Sequence, residues 1–430
     1  MDAVSQPELE RIERAGGADL VVGILDPEPD DQAGATIPMV RAALAELSVE
    51  LNRTARVVVL CNNGTHGPAA PAPDADRLQP AAPDGDGQSL TVFSYSLPAP
   101  GPAETPQPKV SHAYRSVLAV GRKLGVRACG VIASQRRAVT PQWIYRLVQP
   151  ALELGFDLVA PRYTRHKLEG LLNKSVLSPL HRALYGEQLQ NPMGPDFGLS
   201  GKLLQRAMGQ DSGPSRGAEN DPVASLAPMA VCGGLRVCES HLGVRTQPPT
   251  DWMNLSSLLA AVLGPVFLEM ERQAACWQGI RGSNPVPGFG SPEIAPEDTG
   301  TMDVHRMVES FQLGDQNLQD VWGLILPPTT LLELRKLSRL PLDQFRMPDD
   351  LWARIVYDFA LGHRLRTISR DHLLRSITPL YLGWIASYAL EVETAGPAEI
   401  EARIERLSRA YEDGKRYLVS RWRWPDRFNP

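Results

Sequence analysis

The segment 157–201 carries a dense group of side chains that could take part in chemistry. It starts with an apolar run typical of a buried strand and continues into a loop that presents Tyr163, Arg165, His166 and Lys167. The hydroxyl, guanidinium, imidazole and ammonium groups of these residues are donors of the kind that bind phosphate oxygens or sugar hydroxyls. The alternative interpretation is a solvated loop that joins a strand to a helix.

An acidic residue flanked by glycines lies later in the same segment. Asp196 stands between Gly194 and Gly198 in the run MGPDFGLSG. Because glycine has no Cβ, the backbone here can approach a ligand closely or adopt unusual dihedral angles. A carboxylate in such a turn could bind sugar hydroxyls or act on a sugar acceptor. A plain turn capped by its own aspartate is the simpler interpretation.

The surrounding sequence predicts the scaffold that must position these groups. Apolar runs rich in β-branched residues predict strands over 19–25, 55–61, 90–94, 127–133 and 157–161. Helical patterns alternate with them over 37–51, 111–124 and 141–154. Such alternation is typical of an α/β domain with a mostly parallel sheet. Ligands bind at the carboxyl ends of the strands in such sheets, so the polar loop lies where a ligand is expected.

The pattern also predicts how the chain is divided. A stretch rich in glycine and proline marks a boundary, and the pattern beyond it is helical throughout, with single helices expected over 329–340, 349–366 and 370–391. The predicted organisation is an N-terminal tail (1–18), an α/β domain (19–278) with a mobile Pro/Ala/Gly-rich loop (64–110), a linker (279–300) and a helical C-terminal region (301–430).

Composition excludes some classes of function. The chain has 430 residues, 43% of them hydrophobic, and a net charge of −5, which argues against a general nucleic-acid binder. No apolar run reaches the roughly 18 residues that a membrane span requires. The first twenty residues are acidic and polar and lack the pattern of a signal peptide. We therefore expect a cytoplasmic protein with no membrane span and no nucleic-acid partner.

The run APRYTRHKLEGLLNKSVLSPLHRALYGEQLQNPMGPDFGLSG, residues 160–201, resembles nucleotide-sugar-dependent glycosyltransferases of the GT-A fold. The resemblance is to the glucosylglycerate and mannosylglycerate synthase type, and the runs 351–364 and 373–394 are similar to the helical tail of that family. It implies a GT-A-like (Rossmann-like) domain followed by helices. It also implies transfer of a sugar from a nucleotide sugar to a small hydroxylated, glycerate-like acceptor.

The resemblance further implies which residues bind the substrates. The matching positions are Tyr163, Arg165, His166, Lys167, Gly194 and Gly198 for substrate binding, with Asp196 as the catalytic candidate.

The family's metal-binding positions are changed in this chain. The resemblance implies a divalent Mg²⁺ or Mn²⁺ ion held by an Asp-x-Asp motif and a later histidine. The aligned residues are Ala133-Ser134-Gln135 and Gln247, which offer no carboxylate and no imidazole. Hard cations need carboxylate oxygens, so the sequence assigns no metal ligand. Loss of the metal would lower the rate on the order of a thousandfold or more.

Two arginines follow the changed motif directly. Arg136 and Arg137 are candidates to bind the donor diphosphate, because an arginine pair can clamp phosphate oxygens without metal. A pair of solvated loop arginines is the alternative.

These changes leave three functions open. The first is an active glycosyltransferase. The second is a catalytically degenerate glycosyltransferase that acts as a regulatory or binding subunit, as a homo-oligomer or beside an active paralogue. The third is a sugar or nucleotide binder without turnover.

Overall fold

The structure is a computed structural model. It describes residues 5–14, 17–25, 39–40, 42–43, 57–63, 78–80, 91–97, 109–133, 139–209, 221–245, 254–293 and 302–425. The chain forms two compact units. The first comprises residues 1–164, 191–245 and 286–293, and the second comprises 165–190, 246–285 and 294–430.

The first unit is built on one mixed sheet. Over the described residues its strands are β1 (Leu20–Ile24), β2 (Val57–Asn63), β3 (Leu78–Pro80), β4 (Thr91–Leu97), β5 (Ala128–Ile132), β6 (Leu158–Thr164), β7 (Phe197–Ser200), β8 (Val237–Val244) and β9 (Gly288–Phe289). Their order across the sheet is β3-β4-β2-β1-β5-β7-β6-β8-β9. Neighbours are parallel except for the β3–β4, β5–β7 and β6–β7 pairs.

Helices cover both faces of this sheet. The helices of the first unit are α1 (Gln6–Arg14), α2 (Lys109–Leu124), α3 (Pro141–Leu152), α5 (Gly201–Gly209) and α6 (Pro222–Cys232). Gly23 faces Val117 of α2, whereas Gly130 faces Val148 of α3. Gly23 pairs with Val131, the neighbour of Gly130, and successive residues of a strand point to opposite faces. Helices α2 and α3 therefore lie on opposite faces of the sheet.

The second unit is helical. It contains a π-helical segment (Asn173–Leu177) and the helices α4 (Ser178–Tyr185), α7 (Leu255–Arg272), α8 (Ala274–Trp277), α9 (Val304–Asn317), α10 (Gln319–Gly323), α11 (Pro328–Leu337), α12 (Asp349–Leu365), α13 (Arg370–Ser376), α14 (Thr378–Val392) and α15 (Pro397–Arg423). Its core holds large aromatic side chains that are almost fully buried, among them Trp277, Trp322, Trp352, Trp384 and Tyr411. None of the helices in the described ranges has the length and apolarity to cross a bilayer.

The predicted fold class is confirmed: an α/β unit with a mostly parallel sheet is followed along the chain by a helical region. Of the helix expected over 37–51, residues 39–40 and 42–43 are described and helical, and the rest lies outside the described residues, as does most of the loop 64–110. The helical unit includes 165–190 and 246–285, whereas the sequence interpretation gave 165–190 and 246–278 to the α/β domain and 279–285 to the linker. The predicted tail contains a helix, α1, whose Ile12 is buried.

Two local predictions differ from the structure. The single helix expected over 370–391 is two helices, because Pro379 occupies the first turn of α14 and cannot continue α13. The carbonyl of Ser376 at this junction accepts a hydrogen bond from the indole of Trp322, at 3.0 Å. The segment after Asp196, expected as a turn, continues into β7, which pairs antiparallel with both β5 and β6.

A buried histidine in α4 makes the stability of the second unit depend on pH. Burial lowers the pKa of His181 from its ordinary value to about 3. Between about pH 6.5 and 3 the imidazole of His181 is protonated in the unfolded chain but stays neutral in the folded chain. The free energy of unfolding therefore falls as the pH drops through this window. We expect His181→Phe, which keeps a ring beside Tyr185 at 5.0 Å, to flatten the profile by up to about 1.4 kcal/mol per pH unit.

The measurement is urea unfolding from pH 7 to pH 4.5. The matched control is His372→Gln, because His372 is exposed on α13 and its replacement should change the slope far less than His181→Phe does. An unaltered slope in His181→Phe would contradict this account.

Candidate functional site

A buried carboxylate connects three segments at the end of the sheet where β5 and β6 have their carboxyl ends. Asp196 has no exposed surface and immediately precedes β7. Its Oδ1 accepts a hydrogen bond from the backbone N–H of Ala133 at 2.8 Å, and its Oδ2 accepts one from the hydroxyl of Tyr163. Ala133 follows β5 and Tyr163 lies near the end of β6, so this carboxylate stands at the carboxyl ends of both strands. We call Ala133, Tyr163 and Asp196 the Asp196 cluster.

Strand β7 explains why these residues meet. It runs antiparallel between β5 and β6, and its first residue lies beside the carboxyl end of β5. It pairs with β6 at Leu158 and Val159, the first two residues of that strand. Phe197 pairs with Val131, close to the end of β5. The turn before β7 is held by Asn191, whose side-chain amide donates to the carbonyl of Pro161 at 3.0 Å. Backbone pairing and this amide together fix the position from which Asp196 projects.

A second tyrosine, which the sequence interpretation missed, supports the same turn. The hydroxyl of Tyr114 in α2 donates to the carbonyl of Pro195 at 2.9 Å, and its ring lies 5.7 Å from that of Phe197. Burial raises the pKa of Tyr114 far above its ordinary value, and the negative charges of Asp196 and Asp221 raise it further, while Arg245 acts in the opposite direction. The neutral phenol therefore remains a hydrogen-bond donor at any ordinary pH.

Arg245 places a positive charge at the same end of the strands as Asp196. It directly follows β8, and its backbone N–H donates to the carbonyl of Thr164 at 3.0 Å. Its guanidinium carbon lies 4.8 Å from the ring centroid of Tyr163, within the range of a cation–π contact. The sequence interpretation did not predict β8, because its run VCESHLGV mixes polar and apolar residues without a clear pattern. Arg245 was therefore not recognised as a residue at a strand end.

The two predicted glycines have a structural explanation in packing. A Cβ on Gly198 would stand 2.8 Å from the carbonyl carbon of Leu147 in α3, and nearer still to its oxygen. A Cβ on Gly194 would stand 2.7 Å from Cδ of Pro161. Glycine at these positions lets α3 and β6 approach the backbone that carries Asp196. Their predicted contact with substrate stays a prediction.

The polar loop is divided between the units. Tyr163 belongs to the first unit with Asp196, whereas Arg165, His166 and Lys167 belong to the second unit. The structure therefore brings Tyr163, Gly194, Asp196 and Gly198 together within one unit. Arg136, Arg137 and Gln247 lie outside the described residues, so their predicted roles remain predictions.

Within the second unit the loop is held by its own contacts. The ammonium of Lys167 donates to the carbonyls of Val392 at 2.8 Å and Glu393 at 2.7 Å, at the end of α14. His166 accepts at Nδ1 from the backbone N–H of Leu168, at 3.2 Å. These contacts give two of the predicted binding residues structural roles inside the helical unit.

Lys174, in the π-helical segment, also orders this loop. Its ammonium donates to the carbonyls of His166 and Lys167, each at 3.0 Å. Burial, together with the nearby charge of Arg165, lowers the pKa of Lys174 to about 8, while Glu169 acts in the opposite direction. A π-helical turn leaves no clear sequence signal, so this lysine was not among the predicted site residues.

Replacing Lys167 by methionine is expected to lower the free energy of unfolding by about 1–2 kcal/mol, because the last carbonyls of α14 lose a charged donor. Chemical denaturation would measure this loss. The matched control is Lys202→Met, since Lys202 is exposed on α5 and its ammonium makes no hydrogen bond or ion pair with the described residues. Equal stabilities of the two variants would show that the capping contacts contribute nothing.

A divalent metal does not fit the described part of this site. Ala133 carries only a methyl group, and both oxygens of Asp196 accept hydrogen bonds from the chain. Among the described residues no group of three or more histidine, cysteine, aspartate or glutamate side chains could hold a metal ion. The metal that the family resemblance implies therefore finds no ligand set in these residues.

Comparison with known proteins gives only distant structural similarity. No family model and no curated protein matches the chain. It is similar to glucosyl-3-phosphoglycerate synthase from Mycobacterium tuberculosis in complex with Mn²⁺, UDP-glucose and phosphoglyceric acid, with a TM-score of 0.35 and 17% identity, covering 63% of this chain and 84% of that chain. It is also similar to mannosyl-3-phosphoglycerate synthase from Rubrobacter xylanophilus, with a TM-score of 0.36 and 15% identity, covering 64% of this chain and 81% of that chain.

Proposed function

We propose that this protein is a glycosyltransferase that moves a sugar from a nucleotide-sugar donor to a small hydroxylated, glycerate-like acceptor. The observation that carries the proposal is the Asp196 cluster. The sequence motif that resembles this enzyme family supplies Tyr163 and Asp196, and the two side chains are hydrogen-bonded at the carboxyl ends of β5 and β6. Ligands bind at this edge in open α/β sheets.

The reaction determines what the residues would have to do. The acceptor oxygen forms a bond to the anomeric carbon, the bond from that carbon to the diphosphate oxygen breaks, and the hydroxyl proton passes to the departing diphosphate. Positive charge develops on the sugar as this bond breaks. The fixed negative charge of Asp196 would stabilise that positive charge without reorganisation, since the carboxylate is already held by Ala133 and Tyr163.

The substrate-binding roles of the remaining residues belong to the same proposal. Arg165 and His166 would bind phosphate or hydroxyl groups of the substrates, as their side-chain chemistry allows. Lys167 would keep the loop in place through its hydrogen bonds to the carbonyls of Val392 and Glu393. Gly194 and Gly198 would keep the backbone near Asp196 free of side chains.

The test is product formation. Purified protein is incubated with UDP-glucose, GDP-mannose and related donors, together with glycerate and phosphoglycerate, and mass spectrometry detects a glycosylated acid. We expect a product with at least one pair, and a loss of at least about a hundredfold in Asp196→Asn, which removes one charge and little volume. A product formed at equal rates by both proteins would contradict the role of Asp196.

A second candidate is the catalytically degenerate subunit, and Ala133 at the position of a metal-binding carboxylate favours it. This candidate predicts that the protein binds a nucleotide sugar and forms no product with any acceptor. Binding measured by calorimetry, set beside the mass-spectrometric assay, separates the two candidates. Turnover by the isolated chain would exclude the degenerate subunit.

A further inference from the structure

A nucleoside diphosphate at the Asp196 cluster would need a positive charge close by. The buried carboxylate of Asp196 already places a negative charge at the edge of the sheet, and a diphosphate brings more. A divalent cation finds no ligand set among the described residues. A cationic side chain close to the cluster would supply the compensating charge.

Two other arginines of the first unit, Arg146 and Arg162, have partners within that unit. The guanidinium of Arg146 donates to the carbonyl of His241 at 2.7 Å. Arg162 lies 3.9 Å from the buried carboxylate of Glu239. These arginines connect elements of the first unit, so each has partners that a ligand would have to displace.

Arg245 differs from them. Across the described residues, no carboxylate or carbonyl accepts a hydrogen bond from its guanidinium, which rests on the ring of Tyr163 at 4.8 Å. That ring is itself held by the hydrogen bond from its hydroxyl to Asp196. A guanidinium has five N–H donors in one plane, and stacking on a ring leaves the donors at its edge able to meet phosphate oxygens.

We propose that Arg245 binds the diphosphate of a nucleoside diphosphate, so that the site accepts this ligand without a divalent cation. This inference rests on the proposed function and adds the group that replaces the metal. A planar guanidinium can donate two parallel hydrogen bonds to phosphate oxygens. It would also balance the charge that develops on the diphosphate as the sugar leaves.

The experiment is a calorimetric titration of the full chain with UDP and with GDP, once in EDTA and once in Mn²⁺. The test variant is Arg245→Gln. The matched control is Arg236→Gln, because Arg236 also lies over an aromatic ring, that of Phe156 at 4.3 Å, but precedes β8 at the opposite end of the strand. Thermal unfolding confirms that each variant is folded before titration.

We expect the unmodified protein to bind UDP or GDP in EDTA with an affinity within threefold of that in Mn²⁺. Arg245→Gln should weaken this metal-free binding at least tenfold, while Arg236→Gln should leave it unchanged. If Arg245→Gln does not fold, Arg245→Lys takes its place. It keeps the charge but loses the bidentate geometry, and a weakening of at least threefold is expected.

Other outcomes overturn the inference in distinguishable ways. Binding that appears only with Mn²⁺ removes the claim of metal independence and leaves the proposed glycosyltransferase intact. Metal-free binding that is the same in Arg245→Gln assigns the diphosphate to another group. Absence of binding to either nucleotide under both conditions contradicts the proposed function as well.

Discussion

Asp196→Ala is expected to destabilise the first unit by about 3–5 kcal/mol. The N–H of Ala133 and the hydroxyl of Tyr163 both lose their acceptor in a buried environment. Each buried donor left without a partner costs about 1–3 kcal/mol, and removal of the carboxylate also leaves a small cavity. Urea unfolding, followed by tryptophan fluorescence, to which Trp143 in α3 contributes, would measure the loss.

Asp196→Asn separates the structural role of this residue from its chemical role. An amide has nearly the same shape, and its oxygen can still accept from Ala133, so we expect a loss of only about 1–2 kcal/mol. The proposed catalytic role requires the charge, so activity should fall far more than stability. Equal stability of Asp196→Ala and the unmodified protein would contradict the buried cluster itself.

Gly198→Ala is expected to lower the free energy of unfolding by about 3 kcal/mol or more, because the new methyl group meets backbone rather than a flexible side chain. The carbonyl of Leu147 can move only if α3 shifts away from β7. Such a shift would disturb the contact of Trp143 with Tyr163, whose rings lie 6.0 Å apart. Substitution at this glycine should therefore damage the site as well as the fold.

Gly209→Ala is the control for this prediction. Gly209 ends α5, and a Cβ there would find no atom within 4 Å. In a helix, alanine is favoured over glycine by up to about 1 kcal/mol, so this variant should be as stable as the unmodified protein or slightly more stable. If Gly198→Ala matched it in thermal unfolding, the close approach of α3 to β7 would be wrong.

Long apolar runs made much of the scaffold predictable. The strands β1, β5 and β6 were expected from runs such as DLVVGIL and RACGVIA, and all three lie within a few residues of the predicted bounds. Their residues are mostly buried on both faces, which is the condition under which a parallel strand reads as a continuous apolar run. The alternation with helices then determined the class of the fold.

Strands β7 and β8 were not predicted, because their local sequences lack a clear strand pattern. The run FGLS of β7 has four residues, with little intrinsic preference for a strand, and it pairs because β5 and β6 flank it. Strand β8 includes Glu239, Ser240 and His241, which interrupt the apolar pattern. Both strands depend on tertiary contacts that a pass along the chain does not reveal.

The candidate site was predicted in part. Tyr163 and Asp196 were identified from their residue types and the family resemblance, but their direct hydrogen bond joins positions 33 residues apart. Pairings at such separation depend on the strand order, which the sequence did not determine. Arg245 and Tyr114 were missed for the same reason, since each acts through a neighbour that is distant along the chain.

The central claim is that the first unit binds a nucleotide sugar at the Asp196 cluster. It is tested most directly by calorimetric titration of the full chain with UDP-glucose and GDP-mannose, each with and without Mn²⁺. We predict saturable binding of at least one donor, lost in Asp196→Ala protein that remains folded at the temperature used. Folded protein that shows no heat of binding with any nucleotide sugar, with or without the metal, would contradict the account.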